Sequence, residues 1–128
     1  MISKKILRSF KNKRVLVTGG TGLIGRQVVR ILCEAEAQVK IVSLDNIHVH
    51  QSAEHVFGDL TSMSFCKEIT KDKDFVFHVA GIKGSIEVTK ARPASFFVPL
   101  LMMTTNILEA CRINDVEKVL YASSIGAY

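Results

Sequence analysis

The most informative segment of this chain is Val15-Leu16-Val17-Thr18-Gly19-Gly20-Thr21-Gly22-Leu23-Ile24-Gly25-Arg26-Gln27-Val28-Val29. Its first residues are apolar and β-branched, which is typical of a strand buried on both faces. After the glycines, apolar residues recur with the spacing of one helix face at Ile24, Val28, Ile31 and Leu32. The stretch therefore predicts a buried strand, a glycine-rich turn and an amphipathic helix, in that order.

The glycines fit two templates for a turn that holds a dinucleotide. Gly20-x-Gly22-x-x-Gly25 is the common fingerprint, and Gly19-x-x-Gly22-x-x-Gly25 is a variant of it. In both, one glycine permits the tight turn, one lets backbone N–H groups approach a pyrophosphate, and one allows close packing of helix and strand. Leu23 and Ile24 begin the helix, where unpaired N–H groups and the helix dipole favour an anion. An ordinary glycine-rich turn is the alternative, and the strand before it and the helix after it favour the phosphate site.

Charge is concentrated at the beginning of the chain. Six of the 17 basic residues lie in the first fourteen positions, which hold no acid, so the net charge of +5 is not a property of the body of the protein. The remaining residues are close to neutral, which excludes a basic nucleic-acid-binding domain. We divide the chain into a basic arm, residues 1–13, and a dinucleotide-binding domain, residues 14–128. The arm is interpreted as a leader helix, with a membrane or partner contact and a targeting peptide as alternatives.

The rest of the sequence is typical of a reduced, water-soluble protein. Apolar residues make up 48% of the 128 positions and charged residues 23%, which is enough for one domain with a core. Three widely spaced cysteines (Cys33, Cys66 and Cys111) predict buried thiols rather than disulfides. We identify no secretory segment and no run of about 20 apolar residues, so we expect a cytoplasmic location without stable membrane insertion.

Strand and helix patterns alternate along the chain. Strands are predicted at about 14–18, 38–44, 55–57, 75–80 and 118–123. Helices are predicted at about 23–36, from a cap at Thr61 or Ser62 to Thr70, at 85–91, and at 94–113, where Pro99 should mark a kink or the start of the regular helix. This alternation predicts an α/β fold, a Rossmann-type doubly wound parallel sheet with strand order 3-2-1-4-5.

Ligands of such sheets bind at the carboxyl ends of the strands, so the residues there are site candidates. Asp45, with Asn46 beside it, follows the second strand and is placed to accept the ribose hydroxyls of NAD and to repel the 2′-phosphate of NADP. Because Ser43 occupies the more usual position of this acid, NADP stays open as the alternative. Asp59 and Leu60 follow the third strand and are candidates to contact an adenine, with helix capping as a second role for Asp59.

The last two strand ends extend the same site. Val79, Ala80 and Gly81 end the fourth strand and would leave room for the backbone of the cofactor. Lys83 is within reach of ribose hydroxyls. Ser123 and Ser124 follow the fifth strand and would present hydroxyls near the nicotinamide.

Several motifs together resemble the extended short-chain dehydrogenase/reductase family, and most closely its NAD-dependent nucleotide-sugar epimerases and dehydratases. The resemblance covers Arg14 to the last residue, through residues 18–25, 58–60, 78–83, 106–111 and 123–128. It implies transient hydride transfer at a sugar carbon, a hydrogen bond from Ser124 to the reacting oxygen, a ribose contact from Lys83, and a homodimer through the helix at 94–113. A nucleotide sugar is the implied substrate.

The sequence departs from the pattern of that family in one important respect. The family's acid/base tyrosine belongs to a Tyr-x-x-x-Lys motif, which does not occur here, and Tyr128 belongs to the serine motif instead. The helix asparagine usual in the family falls at Leu100. We therefore expect a chain that binds cofactor without turnover and resembles the front part of an enzyme. A stand-alone dinucleotide-binding sensor or regulatory module is the alternative.

Two further patterns are assigned structural roles. His48, His50 and His55 cluster within eight positions, but without a third ligand fixed by spacing they are interpreted as solvated loop histidines rather than a metal site. The helix at 94–113 is apolar on all sides around 96–103, which predicts burial on several sides and self-association.

Overall fold

Five parallel strands form one sheet in the order β3-β2-β1-β4-β5, which confirms the predicted order. The structure is a computed structural model, and it describes residues 1–82 and 84–123. The strands are β1 (Arg14–Thr18), β2 (Gln38–Ser43), β3 (Glu54–Phe57), β4 (Phe75–His78) and β5 (Lys118–Tyr121). The second, fourth and fifth strands end one or two residues earlier than predicted. Leu44, Val79 and Ala80 lie just beyond the strand ends and line a cavity at the carboxyl edge.

One short helix precedes the sheet, and the four predicted helices follow β1, β3 and β4. The helices are α1 (Lys4–Arg8), α2 (Leu23–Glu34), α3 (Met63–Ile69), α4 (Ile86–Ala91) and α5 (Pro93–Ile113). Ser62, one of the two predicted caps, begins α3, and its hydroxyl accepts the Phe65 N–H at 3.4 Å. The long helix begins at Pro93, a position that favours proline because its missing N–H would have no intrahelical partner. Pro99 therefore lies inside α5 and does not start it.

The central strand is buried on both faces, as predicted. Leu16 faces a core cluster that includes Cys66 and Ile107, whereas Val15 and Val17 face the opposite cluster with α2. None of these three strand residues is exposed to solvent. Burying side chains of this size stabilises a fold by about 1.5–3 kcal/mol each, so β1 anchors both layers.

The buried face of α2 differs from the predicted one. Gly25, Val29 and Leu32 form the buried stripe, while Ile24 is exposed. The reason is the glycine turn: the backbone of Gly25 packs against Gly19, which rotates Ile24 away from the sheet and toward the carboxyl edge. Ile24 therefore belongs to the site and not to the core.

Only one side of α5 is buried in this chain, contrary to the expected burial on several sides. Met103, Ile107, Ala110 and Cys111 pack against the core, and apolar residues of the other side are exposed. The side chain of Asn106 fixes the helix, because its Nδ2 donates to the carbonyl oxygens of Leu60 and Thr61 at 3.0 Å each.

By length and composition alone, α5 would be long and apolar enough to cross a membrane. The expectation that no such segment occurs is therefore wrong by that criterion. The core helix of a water-soluble protein can meet the same criterion, and one side of α5 packs on the sheet.

The basic arm contacts the amino-terminal edge of the sheet through one aromatic residue. Helix α1 covers only five residues, and Phe10 after it packs edge-on against Phe75 with ring centroids 5.5 Å apart. Ile2 and Ile6 are exposed. The end of the arm is also tied to the body by backbone hydrogen bonds, from the Asn12 N–H to the Glu36 carbonyl oxygen at 3.0 Å and from the Gln38 N–H to the Lys13 carbonyl oxygen at 2.8 Å, and by an ion pair between Lys11 and Glu36.

The cysteine thiols are free. Cys66 and Cys111 are buried as predicted, and Cys33 is half-buried. Burial raises the pKa of the Cys66 and Cys111 thiols to about 11. Both remain protonated at neutral pH, which suits a structural role.

Candidate dinucleotide-binding site

A cavity of about 490 Å³ lies where the carboxyl ends of the central strands meet the beginning of α2. This is the crevice in which open α/β sheets bind ligands. The structure brings ten of the predicted site residues together there: Gly19, Gly22, Leu23, Ile24, Gly25, Asp45, Leu60, Val79, Ala80 and Gly81.

The glycine turn permits two close backbone approaches. Gly19 has a φ of +69°, a conformation that favours glycine, and a Cβ there would lie 2.6 Å from the Cα of Ala80. A Cβ on Gly25 would overlap the carbonyl oxygen of Gly19. Gly20 instead packs beneath the turn against Ile41 and does not line the cavity. Of the two templates, the variant Gly19-x-x-Gly22-x-x-Gly25 therefore describes the residues that face the site.

The beginning of α2 presents backbone donors at this cavity. Gly22 caps the helix in an extended conformation, and the first intrahelical bond recorded there runs from the Arg26 N–H to the Gly22 carbonyl at 3.0 Å. The N–H groups of Leu23, Ile24 and Gly25 precede that bond, and all three residues line the cavity. Helix N–H groups in this position, with the helix dipole, bind phosphate oxygens.

Arg26 braces the turn, a role that the sequence patterns did not reveal. Its guanidinium donates to the carbonyl oxygens of Thr21 at 2.8 Å and Gly22 at 3.3 Å. These bonds restrain the two peptide groups that directly precede α2. The arginine therefore supports the conformation of the turn at the beginning of the helix.

Asp45 lies in the cavity wall and carries a polar atom with unused hydrogen-bonding capacity. Its Oδ2 accepts a hydrogen bond from the Thr21 hydroxyl at 3.0 Å. Its Oδ1 is buried and has no hydrogen-bond partner among the residues that the structure describes. Because a buried carboxylate oxygen without a partner is costly, this atom marks a position for a hydrogen-bond donor of a ligand.

Asp59 does not take its second predicted role of capping α3, because Ser62 is the N-cap of that helix; its predicted adenine contact stays a prediction. Its Oδ1 accepts hydrogen bonds from the Thr61 N–H at 2.9 Å and the Thr61 hydroxyl at 2.8 Å, which shapes the turn before α3. The residue is exposed and does not line the cavity, whereas its neighbour Leu60 does. A carboxylate engaged by its own turn is typical of aspartate at a helix entrance.

Besides Asp59, two described residues among the predicted site residues do not line the cavity. Asn46 and Ser123 are exposed and are not among its lining residues. Lys83 and Ser124, like Tyr128, lie outside the described residues. Their assignments stay predictions.

His78 forms a buried polar link directly behind the site. Its Nδ1 is 2.7 Å from the hydroxyl of Thr18, and its Nε2 is 3.3 Å from the hydroxyl of Thr104 on α5. The Thr18 hydroxyl also accepts the N–H of Ala80 at 3.4 Å. Burial lowers the pKa of His78 to about 4, so the ring is neutral at pH 7. The link joins β1, β4 and α5 beneath the residues that line the cavity.

The clustered histidines differ in their surroundings. Across residues 1–82 and 84–123, no group of three His, Cys, Asp or Glu side chains is close enough to hold a metal ion. His48 lies exposed in a loop, as expected. His55, by contrast, belongs to β3, where it stacks on Phe57 and hydrogen-bonds the Ser43 hydroxyl at 2.6 Å. It is therefore not a solvated loop histidine.

Sequence reasoning missed several lining residues. They are Thr21, Val42, Ser43, Leu44, Gly58, Ile82 and Met103. Thr21 could have been found, since it is the polar residue inside the glycine turn. Met103 carries no sequence signal that separates it from other apolar residues of α5, because only the packing of the helix brings it to the cavity.

A comparison with known protein families identifies the family of this chain. Residues 15–128 match the model of the NAD dependent epimerase/dehydratase family. Because the match covers most of the chain and includes the glycine turn and the cavity, the protein belongs to that family.

Individual relatives match most of this chain but less than half of their own length. GDP-mannose 3,5-epimerase 1 from Oryza sativa subsp. indica is 32% identical over 90% of this chain and 32% of its own length. An inverting UDP-N-acetylglucosamine 4,6-dehydratase from Campylobacter jejuni subsp. jejuni serotype O:2 is 26% identical over 90% of this chain and 37% of its own. The solved UDP-N-acetylglucosamine 4-epimerase from Methanobrevibacter ruminantium M1, in complex with UDP-N-acetylmuramic acid, is 30% identical with a TM-score of 0.80, over 92% of this chain and 40% of its own. The chain thus spans about a third to two fifths of these proteins.

Proposed function

We propose that this chain binds NAD as the dinucleotide-binding part of a nucleotide-sugar epimerase or dehydratase. The observation that carries the proposal is the buried, unpartnered Oδ1 of Asp45 in the same cavity as the first N–H groups of α2. Asp45 Oδ1 requires a hydrogen-bond donor, and the N–H groups of α2 favour an anion. In a dinucleotide, the hydroxyls of the adenosine ribose are such donors and the pyrophosphate is such an anion.

The residues of the cavity fit that cofactor. The N–H groups of Leu23, Ile24 and Gly25 would hold the pyrophosphate, and Asp45 would hold the adenosine ribose. The carboxylate of Asp45 favours NAD, because a 2′-phosphate would place negative charge against it. NADP is the alternative cofactor, and its affinity is to be compared with that of NAD. When bound, NAD supplies a hydride acceptor for a sugar carbon.

The substrate class rests on the relatives. All three that we describe carry names of enzymes acting on a sugar joined to a nucleoside diphosphate. We propose the same class for the enzyme of this chain, with Ser124 as the hydroxyl that contacts the reacting oxygen and Lys83 as a ribose contact. Because no Tyr-x-x-x-Lys occurs in these 128 residues, we expect cofactor binding without turnover from them alone.

Replacing Gly22 with valine should weaken NAD binding at least about tenfold while leaving the fold intact. A Cβ at Gly22 would meet one atom within 4 Å, the Gly19 carbonyl oxygen at 3.3 Å. Because Gly22 lines the cavity beside the first N–H groups of α2, valine would take up space that the phosphates need. Isothermal titration calorimetry with NAD measures the affinity, and thermal unfolding measures stability. Tenfold corresponds to about 1.4 kcal/mol of binding free energy.

The matched control for Gly22→Val is valine at an exposed helix position, Arg30→Val, on the same helix. This change adds the same β-branched residue to α2 away from the turn, and NAD affinity should stay within twofold. Unchanged NAD affinity in Gly22→Val would refute the phosphate-site assignment.

We also propose that the chain forms a homodimer through the exposed side of α5 and does not insert stably into a membrane. The proposal is supported by the apolar residues left exposed on that side, among them Phe97, Val98, Leu101 and Leu108, and by the packing of the other side on the sheet. Contiguous apolar surface of this kind is typical of an interface.

Analytical ultracentrifugation in detergent-free buffer should show a concentration-dependent dimer. Leu101→Glu should shift the chain to monomer, because a carboxylate would be buried in the interface. Ile6→Glu, which alters an exposed apolar residue on α1, should not. A chain that stays monomeric at every concentration would contradict the proposal.

A further inference from the structure

Thr21 is buried in the glycine turn, and its side chain reaches across the cavity wall to Asp45. It is 4% exposed, and its hydroxyl donates to Asp45 Oδ2 at 3.0 Å. Threonine at this position is required by none of the glycine roles in the turn, so the contact is a separate feature of this chain. It joins the residue before the helix cap to the loop after β2.

The backbone of Asp45 is held independently. The Ser43 hydroxyl donates to the carbonyl oxygen of Asp45 at 2.9 Å and lies 2.6 Å from His55 Nε2. Ser43 has one hydroxyl proton and donates it to the Asp45 carbonyl oxygen. In the bond between Ser43 and His55, the donor is therefore the Nε2–H of His55. Ser43, which is held by His55 of β3, therefore fixes the conformation of the loop after β2. In this conformation Asp45 lines the cavity, although it lies two positions beyond the usual place of the acid.

These contacts leave one carboxylate oxygen of Asp45 for a ligand. Thr21 engages Oδ2, while Oδ1 is buried with no partner in the described part of the chain. The terminal torsion of aspartate is broad, so the carboxylate would otherwise sample several orientations. Fixing it in advance reduces the cost of binding.

We propose that Thr21 is a positioning residue that sets the preference of the site for a dinucleotide with a free 2′-hydroxyl. Its hydroxyl holds Asp45 so that Oδ1 accepts the ribose hydroxyls, and the same fixed charge opposes a 2′-phosphate. This inference rests on the proposed function, because it concerns the same cavity and cofactor.

Thr21→Val should reduce NAD affinity about fivefold, the effect of losing one hydrogen bond of about 1 kcal/mol. The ratio of NAD to NADP affinity should fall at least as much, because the released carboxylate rotates away from the 2′ position. Calorimetric titration with NAD, NADP and AMP measures the effect. AMP carries the ribose without the nicotinamide half, so its affinity should fall in parallel with that of NAD.

Two further variants separate positioning from folding. Thr21→Ser keeps the hydroxyl and should restore the NAD to NADP ratio, even if the lost methyl group lowers stability. In an Asp45→Asn background, Thr21→Val should no longer change the ratio, because the charge that it positions is absent.

The possible results distinguish this inference from the proposed function. If the unmodified chain binds NAD but the ratio is unchanged in Thr21→Val, the positioning role of Thr21 is refuted and the proposed function stands. If the unmodified chain binds neither NAD nor NADP, both are refuted. A lowered ratio restored by Thr21→Ser supports the proposal.

Discussion

Replacing Gly25 with alanine should abolish NAD binding and lower the free energy of unfolding by about 3 kcal/mol or more. The added Cβ would overlap the carbonyl oxygen of Gly19, a backbone atom that cannot rotate away. Relief requires α2 to move off the sheet, and Val29 and Leu32 on the same helix face are packed in the core. The N–H groups that face the cavity would move with the helix.

Urea unfolding and calorimetry with NAD together measure both consequences of Gly25→Ala. Gly81→Ala is the matched control for stability, because a Cβ at Gly81 meets no atom within 4 Å. This control should unfold within about 0.5 kcal/mol of the unmodified chain. If Gly25→Ala were as stable as the control and still bound NAD, the close approach of α2 to the glycine turn would be wrong.

Acidification should destabilise the protein through His78 by roughly 3 kcal/mol. Burial lowers the pKa of this histidine from 6.5 to about 4 in the folded state, while the unfolded chain keeps the ordinary value. As the pH falls below 6.5, the unfolded state takes up the proton first. The stabilisation is therefore complete above pH 6.5, is lost progressively down to about pH 4, and changes no further below that.

Urea unfolding at a series of pH values between 7 and 4 measures the contribution of His78. In His78→Gln the loss over this window should be smaller by roughly the same 3 kcal/mol, although the variant is less stable at pH 7 because Thr18 and Thr104 lose the imidazole. His48→Gln changes an exposed loop histidine and should retain the full loss. A His78→Gln profile that parallels the unmodified one would contradict the burial of a neutral ring.

The fold was predictable because its decisive features are local in sequence. The run Val15–Thr18, the glycines and the apolar repeat of α2 are adjacent along the chain, and each element has its own periodicity. The parallel order of strands then follows from general rules of handedness and ligand position. The predicted face of α2 was nevertheless wrong at Ile24, because the close approach of Gly25 to Gly19 is a backbone contact that side-chain periodicity does not encode.

The candidate site was predictable only in part. Strand ends identify the cavity, so Asp45, Leu60 and Ala80 could be assigned from their positions in the chain. Hydrogen bonds between side chains could not be predicted in the same way. The bond from Thr21 to Asp45 spans 24 positions, and the bonds from Thr61 to Asp59 form a turn that strand position alone did not indicate.

The sequence also could not predict which side of α5 is exposed. An apolar helix pattern predicts burial without saying what covers each face. Ile107 is fully buried on the sheet, whereas its neighbour Leu108 is 42% exposed. Apolar residues of α5 therefore belong to the core on one side of the helix and to the proposed dimer interface on the other.

Calorimetric titration of the unmodified chain with NAD and with NADP tests whether the cavity at the beginning of α2 binds NAD. The predicted result is saturable binding of one NAD per chain, tighter than NADP, because Asp45 accepts the ribose hydroxyls and repels a 2′-phosphate. Absence of binding by either dinucleotide, or tighter binding of NADP, would contradict this assignment of the cavity.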